Sequence, residues 1–322
     1  MLKVKAYICV IFLCAASSLQ AQDPYLAIKP AMPLWFNPAY AGNEYYTRAT
    51  LNYRNHYPAS GTGFATYSAS FDTYIDRYNS GLGITLMSDQ LGSKSYSYSS
   101  AGLFWSYKIT TGSSSYIKAG LTGNIFYGIN DPNSLLFPDM INPDGTTDPN
   151  LFTYDRLSTF GADFGFGALF SSNFFETGAA IHHLGREDKN LYWSRPVRIF
   201  AHAEWYIPIF GKTRYSTRKG FTYYLKESAL KPNIFVTHQA KVTLWGVGLA
   251  YQFLNFNAGV SSRQNFKLNS FTTSFHIGYF SDIMEIHYAF DLGVTGKNFR
   301  GLATSSHEIG IVFKFDTGKE SE

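Results

Sequence analysis

The segment 307–315, HEIGIVFKF, carries the pattern that most restricts this chain. Ile309, Ile311, Phe313 and Phe315 fall on one side of a period of two, and Glu308, Gly310, Val312 and Lys314 on the other. Successive side chains of a strand point to opposite faces. An apolar face ending in aromatics, opposite a polar or small face, is what a strand between lipid and a barrel interior requires. The pattern recurs. In 115–129, Ile117, Leu121, Ile125, Tyr127 and Ile129 share a face against Tyr116, Lys118, Thr122 and Asn124. Segments 96–109, 243–253 and 283–292 repeat it with Leu103, Trp105 and Tyr107, with Trp245, Val247 and Leu249, and with Ile286, Tyr288 and Phe290. Buried soluble strands also alternate, but these faces stay apolar far beyond the mean strand of about five or six residues.

Composition agrees. Aromatic residues make up 18% of the chain and charged residues 16%, where soluble domains run near ~25% charged. Past the N-terminus no apolar run approaches the ~18 residues a spanning helix needs. The fold expected is all-β, a transmembrane antiparallel β-barrel of the outer membrane. The competing fold is a secreted pair of β-sandwiches. Fourteen strands are counted, starting near Tyr45, Phe64, Gly81, Tyr96, Ser115, Ser158, Phe174, Val197, Leu230, Lys241, Phe256, Ser270, Ile283 and His307. The ninth carries Pro232 near its start, a position a strand tolerates.

With the N-terminus in the periplasm, connections after even-numbered strands should be short. Those at 111–114, 171–173, 254–255 and 281–282 are. The odd-numbered connections 130–157, 184–196 and 293–306 are long and polar. Two connections break the rule: 239–240 is short where length is expected, and 210–229 is long where shortness is expected.

The first 21 residues read as a signal peptide: Lys3 and Lys5, an apolar core at 6–16, and Leu19-Gln20-Ala21 before the cut. Both cysteines, Cys9 and Cys14, lie inside it, so the mature chain has neither thiol nor disulfide. The leader also holds two basic and no acidic residues, which leaves the mature balance two below the whole-chain +4. That is no nucleic-acid footprint. The expected organisation is signal peptide 1–21, a short periplasmic arm 22–44, a barrel 45–315 and a tail 316–322.

In the arm, Asn37-Pro38 favours a turn, because proline fixes its own φ and biases its predecessor away from helix. Leu34, Trp35, Phe36 and Tyr40 form an aromatic cluster suited to the membrane edge or to corking the barrel. Asn37, Pro38, Ala39, Tyr40 and Gly42 are thus either a turn and girdle opening strand one or a partner-docking element. Arg48, Asn52 and Arg54 share the polar face of that strand, where pairing with lumenal carboxylates is expected.

Catalytic, metal and cofactor chemistry is not expected. Glu285, His287 and Asp291 share one polar face, with Ser274 and His276 on the next strand. A lumenal acid–base set is conceivable there, but a hydrogen-bonded barrel interior explains it. His182 and His183, adjacent on a strand, should face opposite ways and miss a common metal. His202 with Glu204 gives two ligands only, and Asp144 with Asp148 lacks a calcium-loop series. The glycine run 161–167 has no following helix, so close strand packing or a bend is expected rather than a phosphate loop. The basic residues Lys212, Arg214, Arg218, Lys219, Lys226 and Lys231, with Glu227 alone against them, form either a periplasmic docking loop or a solvated one.

Several words carry a resemblance to a known family. They are 22–25 (QDPY), 36–42 (FNPAYAG), Tyr53-Arg54-Asn55, Gly81-Leu82-Gly83, 88–92 (SDQLG) and His307-Glu308-Ile309. Together they resemble the PorP/SprF family of the Bacteroidota type IX secretion system, over essentially the whole mature chain. Glu308, Gly310, Phe313 and Phe315 resemble the terminal assembly signal of bacterial outer-membrane barrels. The resemblance implies a non-enzymatic outer-membrane component that helps export, or hold at the surface, cargo with a C-terminal sorting domain, such as a gliding adhesin. It also implies outer-membrane lipid, periplasmic secretion subunits and the cargo domain as partners. The alternative is a small-solute porin.

Overall fold

In the computed structural model the described residues are 23–43, 46–58, 63–91, 95–135, 140–142, 144–148, 154–185, 195–211, 213–218, 221–265, 270–295 and 305–315. The expected signal peptide 1–21 and tail 316–322 lie outside them, as do Lys212 and Lys219.

The alternating segments become fourteen antiparallel strands in one closed sheet. In chain order they are β1 Thr47–His56, β2 Phe64–Ile75, β3 Ser80–Leu91, β4 Tyr96–Gly112, β5 Ser115–Asn130, β6 Leu157–Ser172 and β7 Phe175–Leu184. Then follow β8 Arg198–Trp205, β9 Ser228–Gln239, β10 Val242–Phe253, β11 Phe256–Asn265, β12 Ser270–Phe280, β13 Met284–Thr295 and β14 Ser305–Phe315. Each pairs with its sequence neighbours, and β14 closes on β1 from Thr47↔Phe315 to His56↔Ser306. Closure removes every sheet edge, as a membrane-embedded sheet must. Among the described residues no helix is long and apolar enough to cross a membrane.

The expected faces hold. Leu103, Phe160 and Ile283 are about two-thirds exposed, while Arg54 and His287 are fully buried and Lys118, Asp72 and Glu308 nearly so. A barrel of this kind puts its grease outside and its charge inside. On β14, Ile309, Phe313 and Phe315 point outward, while Glu308 and Gly310 point into the lumen.

The two irregular connections are real. Ala240 and Lys241 form a two-residue hairpin turn, both at positive φ. The long link between β8 and β9 contains a hairpin of its own, Thr213–Arg218 paired with Phe221–Lys226, at the end where the short turns lie. Pro232 needs a correction: it is the fifth residue of β9, not near its start. It is tolerated because the neighbouring strand is interrupted there. Pairing with β8 ends at Asn233↔Glu204 and resumes at Leu230↔Ile207, so no ladder bond needs the missing N–H.

A second correction concerns His182 and His183. The β6–β7 register shifts between Phe164↔Leu184 and Phe166↔Ile181, a bulge that sets both histidines against Gly165. With His183 at φ +62°, both side chains are buried in the lumen. Among the described residues no group of three or more His, Cys, Asp or Glu side chains is placed to hold a metal ion.

The segment expected to stand outside as an arm folds inside the barrel. Leu26, Ile28, Ala31, Met32 and Leu34 are buried, in clusters with Met87, Phe104, Leu169 and Ala289 of the inner wall. Of the two placements open to the aromatic cluster, the structure takes the cork.

Candidate functional site: a corked lumen

The cork has little regular structure: one helical turn, Pro33–Phe36, and one 3-10 turn, Pro38–Tyr40. Its shape is set by what it touches. Asn37 caps the second turn, its Oδ1 accepting from Ala39 N at 2.9 Å. Its Nδ2 donates to the backbone carbonyls of Ala168 on β6 and Ala179 on β7, at 2.9 and 3.2 Å. A ladder carbonyl has a second lone pair to offer, so the cork binds the wall without breaking the sheet. This close approach needs bare wall. A Cβ on Gly167 would overlap the Asn37 carboxamide, and one on Gly120 would overlap the backbone of Pro38-Ala39. Within the run 161–167, Gly167 is explained by the cork, Gly165 by the bulge, and Gly161 by the Phe126 ring of β5 that a Cβ would overlap.

Tyr40 hydrogen-bonds Glu176 on β7, and His202 Nε2 on β8 at 2.8 Å. Lys29 meets Glu176 at 3.4 Å and Glu204 at 3.6 Å. Burial alone would lower the Lys29 ammonium, yet Glu204 and Glu176 outweigh it and its pKa is raised. The Ala41 carbonyl accepts from Ser106 Oγ and Lys118 Nζ, both at 2.7 Å. Gly42, at φ +55°, turns the chain out of the lumen. Its N–H donates to Asp72 at 2.8 Å, and Asp72 pairs with Arg48 at 2.6 Å.

The N-terminal half is latched by charge. Asp23 meets His183 Nε2 and Arg195 Nη1, each at 2.7 Å, and Arg198 Nη1 at 3.1 Å. Its N–H donates to Gln239 at 2.9 Å, and Asp163 holds the far side of the His183 ring at 2.8 Å. Burial would raise the Asp23 carboxyl, but His183, Arg198 and Arg195 hold it well below the usual carboxylate range. Across the lumen Tyr25 lies over Arg263 at 3.9 Å and near Arg54 at 5.7 Å. Arg54 pairs with Asp291, and with Glu308 at 2.8 Å. Glu308 also accepts the cork's Ala27 and Ile28 N–H groups, at 2.6 and 3.2 Å.

The family words therefore scatter by role. Asn37, Pro38, Ala39, Tyr40 and Gly42 dock the cork. Tyr53 faces outward, its ring 5.0 Å from that of Tyr67; Arg54 joins the lumenal network, and Asn55 follows on the other face, as alternation requires. Glu308 and Gly310 seat the cork, Gly310 making room for Ala31, while Phe313 and Phe315 face outward. Arg214 and Arg218 sit on the accessory hairpin, whose backbone alone is described. Arg48 and Arg54 pair with carboxylates as expected. The acid–base candidates are a network: Glu285 bonds Lys314 at 2.8 Å and His287 at 3.0 Å, and His287 meets His276 at 3.3 Å. Ser274 Oγ accepts instead from Arg263 at 3.2 Å. Asp144 closes a loop turn through Thr146 at 2.9 Å. The alternation pattern did not single out Asp23, Tyr25 and Asp163; inward glycines facing a non-periodic aromatic segment were the available signal.

The model of the family described as "Type IX secretion system membrane protein PorP/SprF" matches residues 19–313. No curated protein matches the chain. Among solved structures it is similar to the CymD monoaromatic hydrocarbon channel, with TM-score 0.50 and 10% identity over 90% of this chain and 94% of that one. It is also similar to the Acinetobacter baumannii outer membrane protein Omp33, with TM-score 0.48 and 10% identity over 85% and 100%. At such identity the likeness is one of fold.

Proposed function

The chain belongs to the PorP/SprF family of type IX secretion system membrane proteins, and from that premise we propose its role. It is a non-enzymatic outer-membrane component that assists export or surface attachment of cargo bearing a C-terminal sorting domain, gliding adhesins among them. The 1–21 leader directs it to the periplasm, the long loops face outward and the short turns inward. Its partners are outer-membrane lipid, periplasmic secretion subunits and the cargo domain. The basic segment carrying Lys212, Arg214, Arg218 and Lys219 is the docking element for the periplasmic subunits.

One observation carries this reading against a small-solute porin. The lumen is crossed by residues 23–28, held on β7–β9 through Asp23 and on β1, β11, β13 and β14 through Tyr25, Ala27 and Ile28. An open diffusive porin keeps a water-filled lumen, and these residues cross this one. Deleting the protein should strip adhesins from the cell surface, and retained surface adhesin would refute the role. A cysteine at Ser216 should stay unlabelled by an impermeant maleimide in intact cells; labelling would move the hairpin outside.

A further inference from the structure

The cork fills one side of the lumen only. Between it and the inner wall of β8–β13 lies a chamber of about 590 Å³, within the range that takes a small ligand. Its space comes from small inward residues, Ala250, Gly259 and Ser261. The inward glycines Gly120 and Gly167 are filled by the cork, whereas the nearest atoms to a Cβ at Gly259 belong to Leu249 and Ala250 of its neighbouring strand. The chamber reaches the short-turn end, where Tyr46, Leu254, Asn255, Ser281 and Asp282 line it.

Two of its polar groups have no hydrogen-bond or ion-pair partner among the described residues. Asn257 is 8% exposed, and its carboxamide oxygen accepts no hydrogen bond from the described residues. A buried acceptor left so costs roughly 1–3 kcal/mol. Of the lining cations, Lys29, Arg48 and Lys314 each hold a carboxylate. Lys231 has none within ion-pair distance among the described residues, and stands 5.6 Å from the Tyr206 ring centroid. Leu26, Ile28, Phe200 and Phe235 supply an apolar wall. Lys231 is level with Ala250 and Gly259 across β9–β11, and Asn257 lies two residues before Gly259. With strands ~4.8 Å apart and ~3.3 Å per residue, their Cα atoms are roughly 12 Å apart. An extended tripeptide spans about that distance.

We propose that this chamber binds a carboxylate carried on an apolar chain and admitted from the short-turn mouth. The carboxylate pairs with Lys231, an N–H donates to Asn257 Oδ1, and the apolar body rests on the Leu26–Phe200 side. An acidic stretch of polypeptide offers all three groups; a small aromatic acid offers two. The inference rests on the lumen's geometry and stands or falls apart from the secretion role.

The test is calorimetric titration of the full mature chain in detergent with three probes: acetyl-Phe-Glu-Leu-amide, its Gln counterpart and 3-phenylpropionate. The acidic tripeptide should bind, and both the Gln probe and the variant Lys231→Gln should weaken binding at least tenfold. Asn257→Ala should weaken the tripeptide more than phenylpropionate. Heat-modifiable gel migration checks that each variant is folded. Binding of phenylpropionate alone, lost in Lys231→Gln, supports the site and makes a small acid its occupant. No binding of either acid at about 1 mM, or binding indifferent to Lys231→Gln, overturns it.

Discussion

Replacing Asp23 by alanine should loosen half of the cork and spare the rest. Asp23 is buried and makes three charged contacts, at 2.7, 2.7 and 3.1 Å. Removing one partner of a buried ionic cluster costs about 3–5 kcal/mol, because the charges left behind have neither partner nor water. The lower end applies here. Arg198 keeps its bond to the Trp35 carbonyl at 2.6 Å, Arg195 keeps its stack on Tyr98 at 3.3 Å, and His183 keeps Asp163. A loss near 3 kcal/mol raises local opening roughly a hundredfold, at about 1.4 kcal/mol per factor of ten. Amide hydrogen exchange should show that rise across residues 25–29, while 39–42, held through Asn37, Tyr40 and Gly42, stay protected. Asp23→Asn, which keeps the shape and an acceptor, should give a smaller rise. Equal acceleration over the whole of 23–43 would refute two independent anchors, and no acceleration would refute the latch.

Acid should act on the same contact. The folded pKa of Asp23 lies below its unfolded value of ~3.9, so its contribution is complete above that pH and is lost as pH falls through the lowered value. Protection factors at 25–29, exchange rates corrected for the intrinsic pH dependence of amide exchange, should be flat from neutrality to about pH 4 and fall only below it. Gly167→Leu drives a side chain into the Asn37 carboxamide. It should displace the 37–42 half at a cost of about 1–3 kcal/mol, read as new ion conductance in a planar bilayer where the wild type is quiet. Arg54→Met leaves Glu308 without its cation, while Asp291 keeps Arg263 at 2.8 Å, and should cost about 3 kcal/mol, the low end for a broken buried pair, in denaturant unfolding from lipid vesicles. Leu103→Arg, on the outer face and 67% exposed, should cost about 2–4 kcal/mol in the same assay if it lies near the bilayer midplane.

The wall was legible because its physics is periodic. Lipid on one side and a polar lumen on the other force strict alternation, so 307–315 and 115–129 declare both their structure and their faces. Where the period breaks, the sequence loses its voice. His182 and His183 misled because a bulge inserts one extra residue, and the positive φ at His183 has no signature in a histidine. Pro232 was misplaced because the interruption that admits it lies on another strand. The cork was half legible: its aromatics and the Asn-Pro turn marked a special segment. Its path is dictated by glycines and charges scattered from Gly81 to Gly310, which only closure of the barrel brings together.

Asp23 is tied beside the loop-side ends of β7, β8 and β9, whereas Gly42 and Asn43 leave beside the start of β1 and the opening residues of β5. The polypeptide therefore runs through its own ring like thread through a bead. Once β14 has zipped onto β1, no lateral gate is left by which such a thread could enter. Residues 23–43 therefore either pass in through a mouth of the finished barrel or lie in the interior before the seam closes, and in the second case they are a template for the wall rather than a stopper added at the end.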